Sequence, residues 1–351
     1  MFITATDYEK HCFDDLRPAY SYYNGAAKKF SVFYDDKIFM IKCPAKAKME
    51  NELNTSYSHN SFSEFISCHI INALQIPNVT AQHTLLGVYQ DKLSVACEDF
   101  TTPQKQLVSF DMVHNTNTNS EASGRHPILQ DTLETYEITP VLREHPIFLQ
   151  RFWDTFILDA LLGNYDRHSG NWGFLNNPYT GEMELAPIFD CGSCLYPALS
   201  DESLDRILSS REEIDKRLYT FPLSALKDRD SGEKLNYTAF LSYTADKNCL
   251  ASLQKITECF SMNAIESVLN QTPYISDKRR TFYHTMIQER FQNILLPAYE
   301  RNISRNFISP QKKDLNTKPF SERLLTAKEI ADQNNENRSG IISPKEKNRN
   351  I

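Results

Sequence analysis

Three polar side chains in one short stretch constrain this chain more than anything else in it. Residues 161–195 read LLGNYDRHSGNWGFLNNPYTGEMELAPIFDCGSCL, with Asp166, Asn171 five positions on, and Asp190 heading an Asp-Cys-Gly triplet. Ahead of them Phe148, Leu149, Phe152, Trp153, Phe156, Ile157, Ala160 and Leu161 recur at helical spacing, and Gly163 follows where the helix would stop. The turn-rich insert between Asn171 and Asp190 suits a hairpin. A core helix, a polar loop, a hairpin and a second carboxylate, in that order, describe a loop-borne site on a rigid scaffold.

The residue types say what such a site could do. Phosphoryl transfer asks for little covalent chemistry and much placement of charge. One carboxylate must accept or orient the proton of the attacking hydroxyl. An amide oxygen and a second carboxylate must hold Mg²⁺, which prefers one or two protein oxygens completed by phosphates and water. Asp166 suits the first role, and Asn171 with Asp190 the second. Asp-x-x-x-x-Asn followed by Asp-x-Gly is the spacing of kinase catalytic loops. Asp, Asn and Gly also form ordinary turns, so the weight rests on both pieces coming in order behind an apolar helix.

Asp166-Arg167-His168-Ser169-Gly170-Asn171-Trp172-Gly173-Phe174, followed by Pro187-Ile188-Phe189-Asp190-Cys191-Gly192-Ser193, resembles the catalytic segment of the HipA-like serine/threonine kinases. Arg and His follow the Asp here, whereas in ordinary protein kinases they precede it. Phosphoinositide kinases share that order, and Asn171-Trp172-Gly173-Phe174 favours the HipA side. The likeness runs from Asn24 to Tyr299 and is to short bacterial members of the family. It implies a two-lobed α+β kinase fold, ATP and Mg²⁺ as cofactors, transfer to serine or threonine hydroxyls of proteins, and autophosphorylation. It also implies that Glu98, Asp99 and Phe100 form the hinge that reads the adenine edge. Arg167 and His168 would support the loop, with His168 bonding near the Asp190 triplet in a catalytic or structural role.

The upstream sequence supplies matching parts. Asn24, Gly25, Ala26, Ala27 and Lys28 make a turn of small residues whose N–H groups could face phosphate oxygens, although a single Gly is a weak signal. Residues 30–34 and 37–43 read as two strands joined at Asp35-Asp36, and 84–89 and 92–97 as a second hairpin across Gln90-Asp91. Residues 63–74 read as a helix with one core face and Glu64 near its start, where a first-turn acid would also favour the helix dipole. A kinase needs a strand lysine held by a helix carboxylate and aimed at the α- and β-phosphates. Lys42 with Glu64 has the right types, order and elements, and the resemblance assigns the same pair.

Three regions follow: residues 1–100 as an N-lobe with an irregular lead-in over 1–19, residues 101–303 as an α-rich C-lobe, and residues 304–351 as a polar, disordered tail. Within the second, 115–123 (NTNTNSEAS) reads as a mobile polar insertion, and 281–296 as a last amphipathic helix ended by Pro297. Ser193, Ser200, Ser203, Ser209 and Ser210 are hydroxyls that phosphorylation could reach.

A net charge of −7 with pI near 5.8 argues against a nucleic-acid partner and against the basic face a lipid kinase needs. No run approaches the roughly twenty apolar residues of a membrane span, and the N-terminus lacks a signal-peptide pattern. The protein is therefore expected in the cytoplasm as made, with export open. Eight scattered cysteines fit a reducing compartment, and the Cys191/Cys194 pair lacks a second pair to make a zinc site. Full-length HipA toxins carry a further N-terminal domain and work with an antitoxin. With some twenty residues ahead of the Asn24 turn, an antitoxin partner is not expected; the resemblance allows a stand-alone kinase acting on host proteins, which the residues themselves leave open. The alternatives are a phosphoinositide-type lipid kinase and, further off, an ATP-binding pseudokinase, which the presence of Lys42, Glu64, Asp166, Asn171 and Asp190 disfavours.

Overall fold

Apolar alternation and two tight turns build a sheet first. The computed structural model describes residues 4–19, 29–44, 59–118 and 127–307. Strands β1 (His11–Cys12), β2 (Pro18–Ala19), β3 (Lys29–Tyr34), β4 (Lys37–Lys42), β5 (Thr84–Tyr89) and β6 (Lys92–Glu98) form one sheet in the order β1-β5-β6-β4-β3-β2. Both hairpins are as expected, with Tyr34 opposite Lys37 and Tyr89 opposite Lys92. Asp35, Asp36, Gln90 and Asp91 have φ of 45°, 60°, 49° and 58°, the left-handed pairs that match a two-residue loop to the strand twist. Phe39 and Ile41 of β4 face a small core with Phe13, Val32, Leu85 and Ala96. Met40 and Lys42 alternate to the opposite face, where helix α1 (Asn60–Ala73) lies.

After β6, strands β7 (Gln106–Ser109), β8 (Gly173–Asn176) and β9 (Met183–Leu185) form a three-stranded antiparallel sheet, and β10 (Leu223–Lys227) pairs with β11 (Lys234–Asn236). The rest is helical: α2 (Phe110–Thr118), α3 (Leu129–Ile138), α4 (Pro140–Glu144), α5 (Ile147–Leu162), α6 (Asp201–Leu208), α7 (Arg211–Asp215), α8 (Tyr237–Tyr243), α9 (Lys247–Cys259), α10 (Met262–Gln271), α11 (Asp277–Arg290) and α12 (Leu296–Phe307). One large core joins α1 to α5, α9, α10 and α11.

Several expectations need correction. The lead-in is not irregular: residues Ala5–Tyr8 form a 3-10 turn, and β1 and β2 cover both sheet edges, strands too short to leave an alternation in the sequence. Helix α1 has no solvent face, because Ser61 to Ile71 are all buried between the sheet and α10. Asn115 to Thr118 continue α2 instead of belonging to a loop, and α12 runs past residue 303 to Phe307. Pro297 does not end the last helix. The π-turn Phe291–Leu295 ahead of it shifts the bonding register, which accommodates a residue without an N–H. The β10–β11 hairpin lies inside the part expected to be α-rich. The Asn24 to Lys28 turn, residues 119–123 and the tail beyond Phe307 lie outside the described residues.

The lead-in is tied to the sheet by charge. His83 Nε2 is 3.0 Å from Asp7 Oδ1, and its Nδ1 is 2.7 Å from Glu98 Oε2, which also accepts from Lys37 at 2.9 Å. Burial alone would lower the imidazole pKa, but the two carboxylates raise it from 6.5 to about 9. A pKa raised by folding stabilises most below the unfolded value and fades as pH climbs through the folded one. We therefore expect His83→Gln to lower the melting temperature at pH 6.5 and to converge with wild type above pH 9. A gap that does not change with pH would contradict this.

Candidate active site

A cleft of about 630 Å³ opens between the six-stranded sheet and the helical part, with Lys42, Asp99, Phe100, Asn171 and Asp190 in its lining. Lys42 ends β4 on the face that turns to α1, and its Nζ lies 3.0 Å from Glu64 Oε2 and 2.9 Å from Asp190 Oδ1. Burial would depress the ammonium pKa, but Asp190 and then Glu64 hold it well above the ordinary lysine value. The Lys42 ammonium in turn holds the Asp190 carboxyl far below its usual range. Glu64 is raised by burial, against the pull of Lys42. It lies past the first turn of α1, so pairing, and not the helix dipole, accounts for it.

Glu64 does a second job. Its Oε1 accepts from the Cys191 N–H at 3.0 Å, so one carboxylate joins strand lysine, helix and Asp190 triplet. Gly192 packs closely beside it: a Cβ there would sit 3.1 Å from Glu64 Oε2. Asp190 itself has φ 56°, a left-handed conformation that Asp tolerates at a cost of about 1 kcal/mol or more and that turns its carboxylate to Lys42.

Helix α5 delivers the other half. It is buried on almost every side and stops at Gly163, whose φ of 70° allows the left-handed cap. In the loop that follows, the Asn171 amide donates to the Asp166 carbonyl at 3.0 Å, and the Asp166 carbonyl also accepts from His168 N–H at 2.8 Å. That leaves Asn171 Oδ1 as the acceptor in the cleft lining. The Asp166 carboxylate is half-buried and takes no hydrogen bond from the described residues. Asn171 and Asp190 thus offer two hard oxygen ligands to a divalent cation beside an ammonium, with a carboxylate in reserve on the same loop.

Two expected residues behave otherwise. His168 does not bond to the triplet. Its Nδ1 accepts from Gly170 N–H at 3.2 Å and caps the short turn Ser169–Asn171. Arg167 is the residue that reaches the triplet. Its guanidinium pairs with Asp159 of α5 at 3.0 Å through two nitrogens, donates to the Asn171 carbonyl at 3.0 Å, to the Phe189 carbonyl, and to Cys191 Sγ at 3.5 Å. Glu98 does not line the cleft either. Strand alternation aims Cys97 inward and Glu98 outward to Lys37 and His83, while its N–H and carbonyl bond to His83 and Gln82. The cleft lining therefore begins at Asp99 and Phe100, with the Asp99 N–H bonded to the Ile38 carbonyl at 2.8 Å.

The cleft also takes in Lys29, Met40, Gln82, Gln106, Leu107 and Phe189, which sequence reasoning passed over. Met40 could have been found, being two residues before Lys42 on the same face. Gln82 and Gln106 carry no local signal. Among the described residues no group of three or more His, Cys, Asp or Glu side chains is placed to hold a metal ion. No described helix is long and apolar enough to cross a membrane.

The family model described as HipA-like C-terminal domain matches residues 21–248. The serine/threonine-protein kinase CtkA of Helicobacter pylori strain J99 is 40% identical over 308 residues, 88% of this chain and 92% of that protein. The crystal structure of a Helicobacter pylori proinflammatory kinase CtkA superposes with a TM-score of 0.71 at 41% identity, covering 79% of this chain and 95% of that one.

Proposed function

Since this chain belongs to the HipA-like C-terminal domain family, we propose that it is a protein serine/threonine kinase that transfers the γ-phosphate of Mg·ATP to hydroxyls of proteins, itself included. The observation that carries this reading is Lys42, which sits within 3.0 Å of both Glu64 and Asp190 at a cleft shared with Asn171. Residues 1–100 serve as the N-lobe and 101–303, extended by the end of α12, as the C-lobe.

The roles follow from position. Lys42, held by Glu64, is placed to bind the α- and β-phosphates. The Asp99 and Phe100 backbone meets the adenine edge. Asn171 and Asp190 would hold Mg²⁺, whose chemistry is to neutralise charge on the phosphate oxygens. Asp166 accepts or orients the hydroxyl proton, its carboxylate taking no hydrogen bond from the described residues. Arg167 fixes the spacing between Asp166 and Asp190, since it bonds to both segments and to α5. Asn24, Gly25, Ala26, Ala27 and Lys28 precede β3 in sequence, and small residues ahead of the lysine strand suit contact with the phosphates.

The choice between protein and lipid acceptors is open to a direct test. Incubated with γ-labelled Mg·ATP, the enzyme should label a generic basic protein and leave phosphoinositide vesicles unlabelled. Label in the lipid and none in protein would overturn the proposal in favour of a lipid kinase.

A further inference from the structure

We propose that Cys191 and Cys194, a Cys-x-x-Cys pair that the transfer chemistry leaves unused, form an oxidation site at which hydrogen peroxide makes a disulfide and switches the kinase off. The inference rests on the kinase reading above and names a control on that same site. The backbone holds the pair ready. Cys194 N–H donates to the Cys191 carbonyl at 3.1 Å, a turn that keeps the two Cα atoms within about 7 Å. Disulfides span Cα separations of roughly 4.4–6.8 Å. The Cys194 thiol lies within hydrogen-bonding reach of Cys191 Sγ, and so does the Cys68 thiol of α1.

The surroundings mark Cys191 as the sulfur that reacts first. Arg167 Nη2 donates to its Sγ at 3.5 Å, and a guanidinium beside a sulfur favours its attack as a nucleophile. All three thiols are buried, whereas Gly192 and Ser193, between the pair, are partly open. Burial excludes a bulky disulfide oxidant and selects a peroxide, which is hardly larger than water. Cys191 Sγ attacks one peroxide oxygen and the O–O bond breaks. That oxygen stays on sulfur as a sulfenic acid, and the other leaves as water with the thiol proton. The Cys194 sulfur then attacks Cys191 Sγ, and the S–O bond breaks; the displaced hydroxide takes the Cys194 proton and leaves as a second water. Two thiols give up two electrons in all, and one peroxide is reduced to two waters.

The consequence falls on Asp190. Two sulfurs in non-bonded contact must close to about 2.05 Å, and the chain that moves carries Asp190 next to Cys191. Cys191 N–H is fixed on Glu64 Oε1 at 3.0 Å, and Asp190 reaches Lys42 at 2.9 Å from its left-handed φ of 56°. A misplacement of about 1 Å at such a site costs on the order of a hundredfold in rate.

The test treats the full chain with hydrogen peroxide, blocks free thiols, digests with trypsin without reduction, and measures transfer to a basic protein in parallel. The tryptic peptide 168–206 holds both cysteines and no other. It should appear lighter by two hydrogens and unblocked, while transfer falls about tenfold or more and returns with dithiothreitol. Cys194→Ala, and Cys194→Ser as a check on packing, should keep most of their transfer under the same treatment. Transfer lost with the peptide unchanged, a link made through Cys68 instead, or a glutathione adduct on this peptide after treatment with glutathione disulfide overturns the site as assigned. A disulfide that forms without loss of transfer overturns the switch. Each of these leaves the kinase reading in place. Absence of transfer before any oxidation would strike the kinase reading and the switch with it, while the peptide mass still reports on the dithiol.

Discussion

Asp166→Asn should lower kcat by about 10²- to 10⁴-fold, the usual contribution of a positioned general base, while the dissociation constant for ATP stays near that of wild type. Asparagine has the shape of aspartate and cannot take a proton at neutral pH. The loop should keep its form, because Asp166 holds it through its backbone: its carbonyl accepts from His168 N–H at 2.8 Å and from the Asn171 amide at 3.0 Å. The carboxylate has no intramolecular partner among the described residues to lose. Single-turnover transfer beside equilibrium ATP binding separates the two quantities. A variant with weaker ATP binding and an unchanged chemical step would assign Asp166 to the nucleotide instead.

The second large effect is on stability. Arg167→Met should destabilise the protein by about 3–5 kcal/mol, the range for breaking a buried ion pair by removing one partner. It leaves Asp159, 3% exposed in the core, without its guanidinium, and frees the Phe189 and Asn171 carbonyls together. Arg167→Lys should rescue little, since one ammonium cannot span two carboxylate oxygens, two carbonyls and a thiol. Arg167→Met combined with Asp159→Leu should regain part of the loss, because the unpaired buried charge is then gone. Urea unfolding of the three variants measures this. A double variant no more stable than Arg167→Met would mean that the cost lies in the loop contacts and not in the stranded carboxylate. In each of the three, transfer should fall further than stability requires, since Asp190 loses the strut behind Phe189.

These two residues mark how far the sequence could be read. Asp166, Asn171 and Asp190 were legible because their chemistry demands fixed residue types at short, local spacing. Lys42 and Glu64 were legible because a strand lysine followed by a helix acid is a pattern of elements as well as of residues. The hairpins declared themselves through Asp35-Asp36 and Gln90-Asp91. Arg167 was visible and its work was not, because its partners are Asp159 in the preceding helix and two backbone carbonyls, which leave no mark in sequence. Glu98 misled for a related reason: adenine-reading groups are backbone, and only the strand register shows that the cleft opens one residue later. The two-residue strands β1 and β2 are too short for any period, and Pro297 stays within a helix only because the π-turn before it absorbs the missing N–H.

One measurement addresses the whole account most directly: phosphoamino acid analysis of a protein acceptor after incubation with γ-labelled Mg·ATP, run with wild type and with Asp190→Ala. The account predicts phosphoserine or phosphothreonine with wild type, none when Mg²⁺ is chelated, and at least a hundredfold less with Asp190→Ala, in keeping with the roughly 10²- to 10³-fold cost of removing one electrostatic stabiliser. Equal labelling by the variant, or labelling that persists without a divalent cation, would contradict it.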